Sequence, residues 1–160
     1  MNQKPGKEIV FSAFQEKFQT ELNTWQAKEQ ANGSNGLNQF VVLDSILLGD
    51  YLAFIDQEMD EIDAFLAFDA HQLIGFLCCS YPEPNHAHVE IMGVNPDCRG
   101  KGYGTRILNQ FKIQLQTTAQ KEQRLTLAVK KTNTAGLSSF TKIAKVAPEQ
   151  NKDNYLNLEL

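Results

Sequence analysis

The stretch Val94-Asn95-Pro96-Asp97-Cys98-Arg99-Gly100-Lys101-Gly102-Tyr103-Gly104 constrains this chain more than any other. It puts glycines at three alternating positions between a strand-like apolar segment and a helix-like amphipathic one. Glycines 100, 102 and 104 allow positive φ and close approach of a ligand to the backbone. Successive N–H groups then converge on an anion, and the following helix adds its positive dipole end. Arg99 and Lys101 add charge, so the segment reads as a phosphate cradle, most naturally for a diphosphate. A plain strand-to-helix turn is the competing reading, but three glycines raise its cost in chain entropy.

Two familiar cradles do not fit. A Walker loop needs G-x-x-x-x-G-K-S/T, which is absent. A dinucleotide fingerprint needs G-x-G-x-x-G, and here Gly100-x-Gly102 is followed by Gly104. The strands before it look antiparallel, whereas a Rossmann unit opens on a parallel crossover. The spacing instead satisfies Q/R-x-x-G-x-G/A through Arg99, Gly102 and Gly104.

Around this loop the apolar periodicity predicts the other elements. Residues 1–7 are polar and fray, and Glu8–Phe11 is a short strand. Ser12 and Gln15 are spaced as a capping box, opening a helix whose stripe is Phe11, Phe14, Phe18, Leu22 and Trp25. It stops before the turn formers Asn32-Gly33-Ser34-Asn35-Gly36. A second helix spans Leu43–Met59, interrupted by Gly49. The acids Asp56, Glu58, Asp60, Glu61 and Asp63 follow it as a solvated helix end; attraction of a cationic amine is the other reading. Ala64–Phe68 and Leu73–Ser80 are strands joined by a hairpin at Asp69-Ala70-His71, and Pro82–Asn85 is a second turn. In the strand Ala87–Val94, simple alternation puts Val89 and Ile91 on one face and His88, Glu90, Met92 and Val94 on the other. A helix carries Ile107, Leu108, Phe111 and Leu115, then come a strand at Leu125–Val129, a helix at Thr134–Ala144 and a strand at Tyr155–Leu160. The order predicts an α+β or mixed α/β sheet with helices packed on it.

Composition narrows the partners. The chain has 160 residues, enough for one domain over 1–160 and too few for two full ones. Its net charge of −4 argues against nucleic acid as the main partner. No apolar run of membrane-spanning length and no signal h-region after Met1 are seen, so no membrane association and a cytoplasmic location are expected. The cysteines, Cys78, Cys79 and Cys98, form no disulfide framework and no C-x-x-C pair, so no metal is expected. Cys78 and Cys79 read as small buried hydrophobes.

The stretch from Val89 to Leu108, with V-x-P before R-G-K-G-Y-G and R-I-L after it, resembles the acetyl-CoA-binding motif of the GNAT superfamily of N-acetyltransferases. The element order over 64–160 is similar too, whereas residues 1–62 show no specific match. The resemblance implies a mixed, mostly antiparallel central sheet with helices on both faces, an acetyl-CoA-binding core at 64–160 and a variable acceptor side at 1–62. It implies acetyl transfer from acetyl-CoA to a primary amine, on a small molecule or a protein. The backbone of Met92 and Val94 would pair with the pantetheine arm, and the N–H near Met92 would bond the thioester oxygen. The backbone of Arg99, Gly100, Lys101, Gly102, Tyr103 and Gly104 would hold the pyrophosphate. Asn133 matches a cofactor-contacting asparagine and also reads as a helix N-cap; one residue can serve both.

An ammonium acceptor must lose a proton before it attacks. Relatives often carry a base on the strand before the loop, at positions matching Glu90 or His88. Glu90 is preferred, because a carboxylate in a partly dry cleft moves toward neutrality. A solvated strand residue is the competing reading for each. Many relatives protonate the departing thiolate with a Tyr of the last helix. Phe140 stands there instead, and Ala144-Lys145 replaces the usual Gly-Phe. A module that binds CoA without catalysis is therefore the alternative function. Tyr81 and Tyr103 are substitute acids without a geometric argument. The acceptor's identity and the oligomeric state, a homodimer included, are left open.

Overall fold

The computed structural model describes residues 8–31, 46–148 and 154–160. The expected fraying of 1–7, the turn at 32–36 and the start of the second helix at Leu43 lie outside them.

The first elements differ most from expectation. The first strand, β1, is Val10–Ala13, two residues later than expected. Gln15 Nε2 does reach Ser12 Oγ at 3.1 Å, but Ser12 lies in the strand, and a 3-10 turn begins only at Glu16. Helices α1 (Gln19–Asn23) and α2 (Trp25–Ala31) follow. Pairing with a neighbouring strand takes Phe11 out of the predicted stripe. It packs edge-on to Phe111 at 5.4 Å, while Phe14, Leu22 and Trp25 enter another cluster. Helix α3 is Leu48–Glu58. Gly49 does not interrupt it but lies in its first turn, where a Cβ would stand 2.1 Å from the Gln19 carbonyl oxygen. The close approach of α3 to α1 needs that glycine.

Strands β2 (Ile62–Asp69), β3 (Gln72–Glu83) and β4 (His86–Val94) form the antiparallel meander read from the sequence. Its two tight turns have Ala70 and Asn85 at positive φ. Helix α4 (Tyr103–Ala119), β5 (Arg124–Lys130), α5 (Thr134–Phe140), β6 (Lys145–Val146) and β7 (Tyr155–Glu159) complete the order. Helix α5 ends four residues earlier than expected. The two-residue β6 has no sequence signal of its own; its pairing with β7 defines it.

The seven strands make one sheet in the order β1-β2-β3-β4-β5-β7-β6. Only β4 and β5 are parallel; the other neighbours are antiparallel. Two apolar clusters cover its faces. One joins Ile107, Leu108 and Phe111 of α4 to Leu77, Val89, Leu125 and Leu127. The other joins Leu22, Trp25, Leu48 and Leu52 of the early helices to Leu66 and Phe76. Each fully buried side chain of this size contributes about 1.5–3 kcal/mol. The layers are helices, sheet, helices, as the resemblance implied.

Candidate active site

Strand β4 carries a β-bulge. Cys78 pairs with Ile91 and Cys79 with Val89, so Glu90 is the extra residue. The bulge reverses the alternation beyond it. Val89, Met92 and Val94 all join the α4 cluster, whereas Ile91 packs with the early helices. The expected grouping of His88 and Glu90 with Met92 and Val94 is therefore wrong, because that reading assumed unbroken period-2 alternation. His88 faces the α1–α3 side, beside Ser80 of β3, its register partner. Glu90 is exposed and reaches the same side, where Ser80 Oγ donates to Glu90 Oε2 at 2.5 Å. Tyr51 of α3 is near; burial, then Cys78 and Glu90, push its phenol up.

The bulge lies where β4 and β5 part. Their parallel pairing covers only His86–Val89 against Arg124–Leu127, and beyond it β5 continues against β7 alone. Past the bulge, the β4 edge carrying Met92 and Val94 has no strand partner on the β5 side among the described residues.

On the α4 face a cleft of about 510 Å³ runs from Val94 past the glycine loop to α5. Gly100 and Gly102 have φ of +77° and +80°, and a Cβ on either would meet nothing within 4 Å. They give the turn its left-handed course and leave its concave side open. Gly104 does not share this conformation; it lies in the first turn of α4, with Phe140 3.7 Å from where its Cβ would be. Gly102 is the N-cap of α4 and supplies no capping side chain. The first-turn amides thus have no side-chain cap, and a helix end of this kind suits an anion.

Arg99, Tyr103 and Asn133 also line this cleft, and Lys101 is exposed beside it. The Arg99 guanidinium does not serve the cradle as a loose charge. Its Nη2 stands 2.6 Å from the buried Glu29 carboxylate of α2, and its Nε donates to the Val94 carbonyl at 3.2 Å. A second ion pair, Lys28 with Asp97 at 2.9 Å, ties α2 to the same turn. The Tyr103 hydroxyl donates to Asp69 Oδ2 at 2.6 Å, and that bond raises its pKa. Tyr81 donates to Asp63 at 2.7 Å, and burial pushes its phenol far up. Each hydroxyl proton is committed to a carboxylate. Asn133 does cap α5, its Oδ1 accepting from the Gly136 amide at 2.9 Å.

A family description, Acetyltransferase (GNAT) family, matches residues 14–143. The chain belongs to the GNAT acetyltransferase family. Solved acetyltransferase structures share the fold. An acetyltransferase from Thermus thermophilus superposes with a TM-score of 0.68 at 16% identity, over 96% of this chain and 97% of that one. The PaiA N-acetyltransferase of Thermoplasma acidophilum, in complex with coenzyme A, gives 0.64 at 17% identity, covering 96% and 98%. Campylobacter jejuni PseH, in complex with acetyl coenzyme A, gives 0.60 at 14%, covering 95% and 97%. No curated protein matches by sequence.

Within this GNAT chain the three cysteines are buried and unbridged. Burial pushes the Cys79 thiol up to about 11, Cys78 further and Cys98 in the same direction. None of them is a ready thiolate nucleophile. No group of metal-ligating side chains occurs among the described residues, and no helix among them is long and apolar enough to cross a membrane. Sequence reasoning missed Ser80, Tyr51, Thr126 and Glu29. Each is an ordinary strand or helix residue, brought to the site only by strand register or helix docking.

Proposed function

We propose that this GNAT chain transfers an acetyl group from acetyl-CoA to a primary amine by direct attack in a ternary complex. The observation that carries the reading is the uncapped glycine turn at the start of α4, opening on a cleft that begins at Val94, on the part of β4 that no longer pairs with β5. A diphosphate fits the turn because two left-handed glycines point no side chain into it. Acetyl-CoA supplies the activated thioester. The amides of Gly100 to Gly104, with Lys101 alongside, hold the diphosphate. The unpartnered edge at Met92 and Val94 receives the extended arm as an added strand would. Asn133 lines the α5 side of the cleft while capping the helix. Glu90 and His88 stand across the sheet on the α1–α3 side, where either can take a proton from an incoming ammonium. The acceptor side is assigned to residues 1–62 and the cofactor core to 64–160, within one domain.

The test is a thermal shift followed by an acceptor screen. Acetyl-CoA at about a hundred times its Kd stabilises by about 2.7 kcal/mol. No shift at saturating cofactor would sink the proposal. CoA thiol release is then followed across a panel of amines, with Glu90→Gln and His88→Ala in parallel. Unchanged rates in both variants remove these two bases.

One observation favours a second reading, a CoA-binding module without efficient turnover. Phe140 lines the cleft where a proton-donating Tyr would stand. That reading predicts the same thermal shift and no thiol release with any amine.

A further inference from the structure

Two histidines share one hydroxyl at the paired end of β4 and β5. His86 Nε2 lies 2.8 Å and His88 Nδ1 lies 2.7 Å from Thr126 Oγ1. Thr126 is the register partner of His88. It is 3% exposed and His86 8%. Its neighbours Leu125 and Leu127 point into the α4 cluster, so Thr126 faces the opposite side, the side of Glu90 and Ser80.

A threonine hydroxyl has one proton to donate. It can give that proton to one imidazole and accept from the other. The oxygen can also accept from both rings, but its own proton would then be buried with no acceptor among the described residues, so the favoured state has one facing nitrogen carrying hydrogen and the other bare. Two arrangements satisfy this. In the first, His88 Nδ1–H donates to Oγ1, and the hydroxyl donates to His86 Nε2. A neutral His88 is then unprotonated at Nε2 and can take a proton there while keeping its bond to Thr126. In the second, His86 Nε2–H donates to Oγ1 and the hydroxyl donates to His88 Nδ1. A neutral His88 then already carries its hydrogen at Nε2 and cannot take a proton there, while its Nδ1 is held by the hydroxyl.

We propose that Thr126 and His86 are positioning residues that hold His88 in the first arrangement, making it the base for acceptor deprotonation. An N–H bond of the ammonium breaks and its electron pair stays on the amine. A new N–H bond forms at His88 Nε2, and the positive charge passes to the imidazolium. The assignment rests on the acetyl-transfer reading for its catalytic meaning, but the coupling of the two tautomers does not.

The coupling is read by long-range ¹H–¹⁵N NMR of the full chain labelled at histidine, at a pH well above the ordinary histidine value of about 6.5. His71, exposed in the β2–β3 turn, is the internal reference. The expected pattern is His88 protonated at Nδ1 and His86 unprotonated at Nε2. Thr126→Val should abolish it by releasing both rings, and Thr126→Ser, which keeps the hydroxyl, should restore it. His88 protonated at Nε2 in the wild type, or a pattern unchanged in Thr126→Val, overturns the proposal. In the CoA-release assay Thr126→Val should lower kcat by about tenfold or more with KM for acetyl-CoA unchanged, and Thr126→Ser should recover it. A fall in kcat that Thr126→Ser does not recover also counts against it. The NMR arm uses no cofactor. A wild type that shows the expected tautomers yet binds no acetyl-CoA sinks the acetyl-transfer reading and leaves the coupling standing.

Discussion

Glu29 and Arg99, 70 residues apart, meet at 2.6 Å and bind helix α2 to the glycine turn that lines the cleft. The Glu29 side chain is 2% exposed and that of Arg99 26%, so the two partners are not equivalent. Removing the guanidinium takes the ion-pair partner from a carboxylate in the interior; removing the carboxylate leaves a guanidinium that can turn toward water. Arg99→Met should therefore cost about 3–5 kcal/mol, and Glu29→Gln clearly less. The double change Glu29→Leu with Arg99→Met should recover most of the loss, since a buried pair replaced by apolar groups is often neutral. Urea midpoints of the three variants test this. Equal losses in the two single variants would show that burial does not set the asymmetry.

Gly102 separates the fold's need for glycine from the ligand's. At a φ of +80° an alanine is strained by about 1–2 kcal/mol, yet its Cβ would meet no protein atom within 4 Å. Gly102→Ala should fold with a modestly lower Tm. Its Cβ would stand in the space assigned to the diphosphate, so CoA affinity should fall by about tenfold or more, equivalent to about 1.4 kcal/mol. A CoA-induced thermal shift equal to that of the wild type would place the diphosphate elsewhere.

Phe140 is the position where one oxygen atom tests the chemistry. Phe140→Tyr puts a phenol into the cleft without removing any contact the ring now makes. If thiolate departure limits turnover, kcat should rise about tenfold or more at unchanged KM for acetyl-CoA. An unchanged kcat in the thiol-release assay means that protonation of the thiolate does not limit turnover.

Asp50 gives the acid limb of stability a defined sign. Its carboxylate accepts from Asn23 Nδ2 at 3.0 Å and from Gln19 Nε2 at 2.8 Å. These bonds, Asn23 first, hold its carboxyl below the ordinary aspartate value of 3.8. A pKa lower in the folded than in the unfolded chain adds stability above the unfolded value, and that stability is lost as pH falls through the folded value. Asp50→Asn should thus be less stable near neutrality and converge with the wild type in acid. Parallel stability curves from neutral pH down to the acid limb would refute the assignment.

The central meander, helix α4 and the glycine turn were legible because their signals are local. Pattern alternation, an amphipathic stripe and a run of turn formers each act within a few residues. The first 31 residues were less legible. Phe11, Phe14 and Phe18 fit a helical period, but Phe11 is claimed by strand pairing with β2, which lies more than 50 positions away. The site divides in the same way. The cradle was readable as a contiguous motif, whereas the face occupied by His88 was not, because the bulge at Glu90 arises from register against β3.

From the sequence alone came the glycine turn, the strand leading into it, the helix leaving it and the candidate pair Glu90 and His88. All of these are fixed by residue chemistry and short-range backbone preference. Tertiary structure decided which face of β4 each side chain occupies, that Arg99 is committed to Glu29, and that Thr126 sits between two histidines. Those are long-range pairings. A slip of one residue in register turns a strand's side chains to the other face, and nothing within the strand's own sequence records which register its neighbours impose.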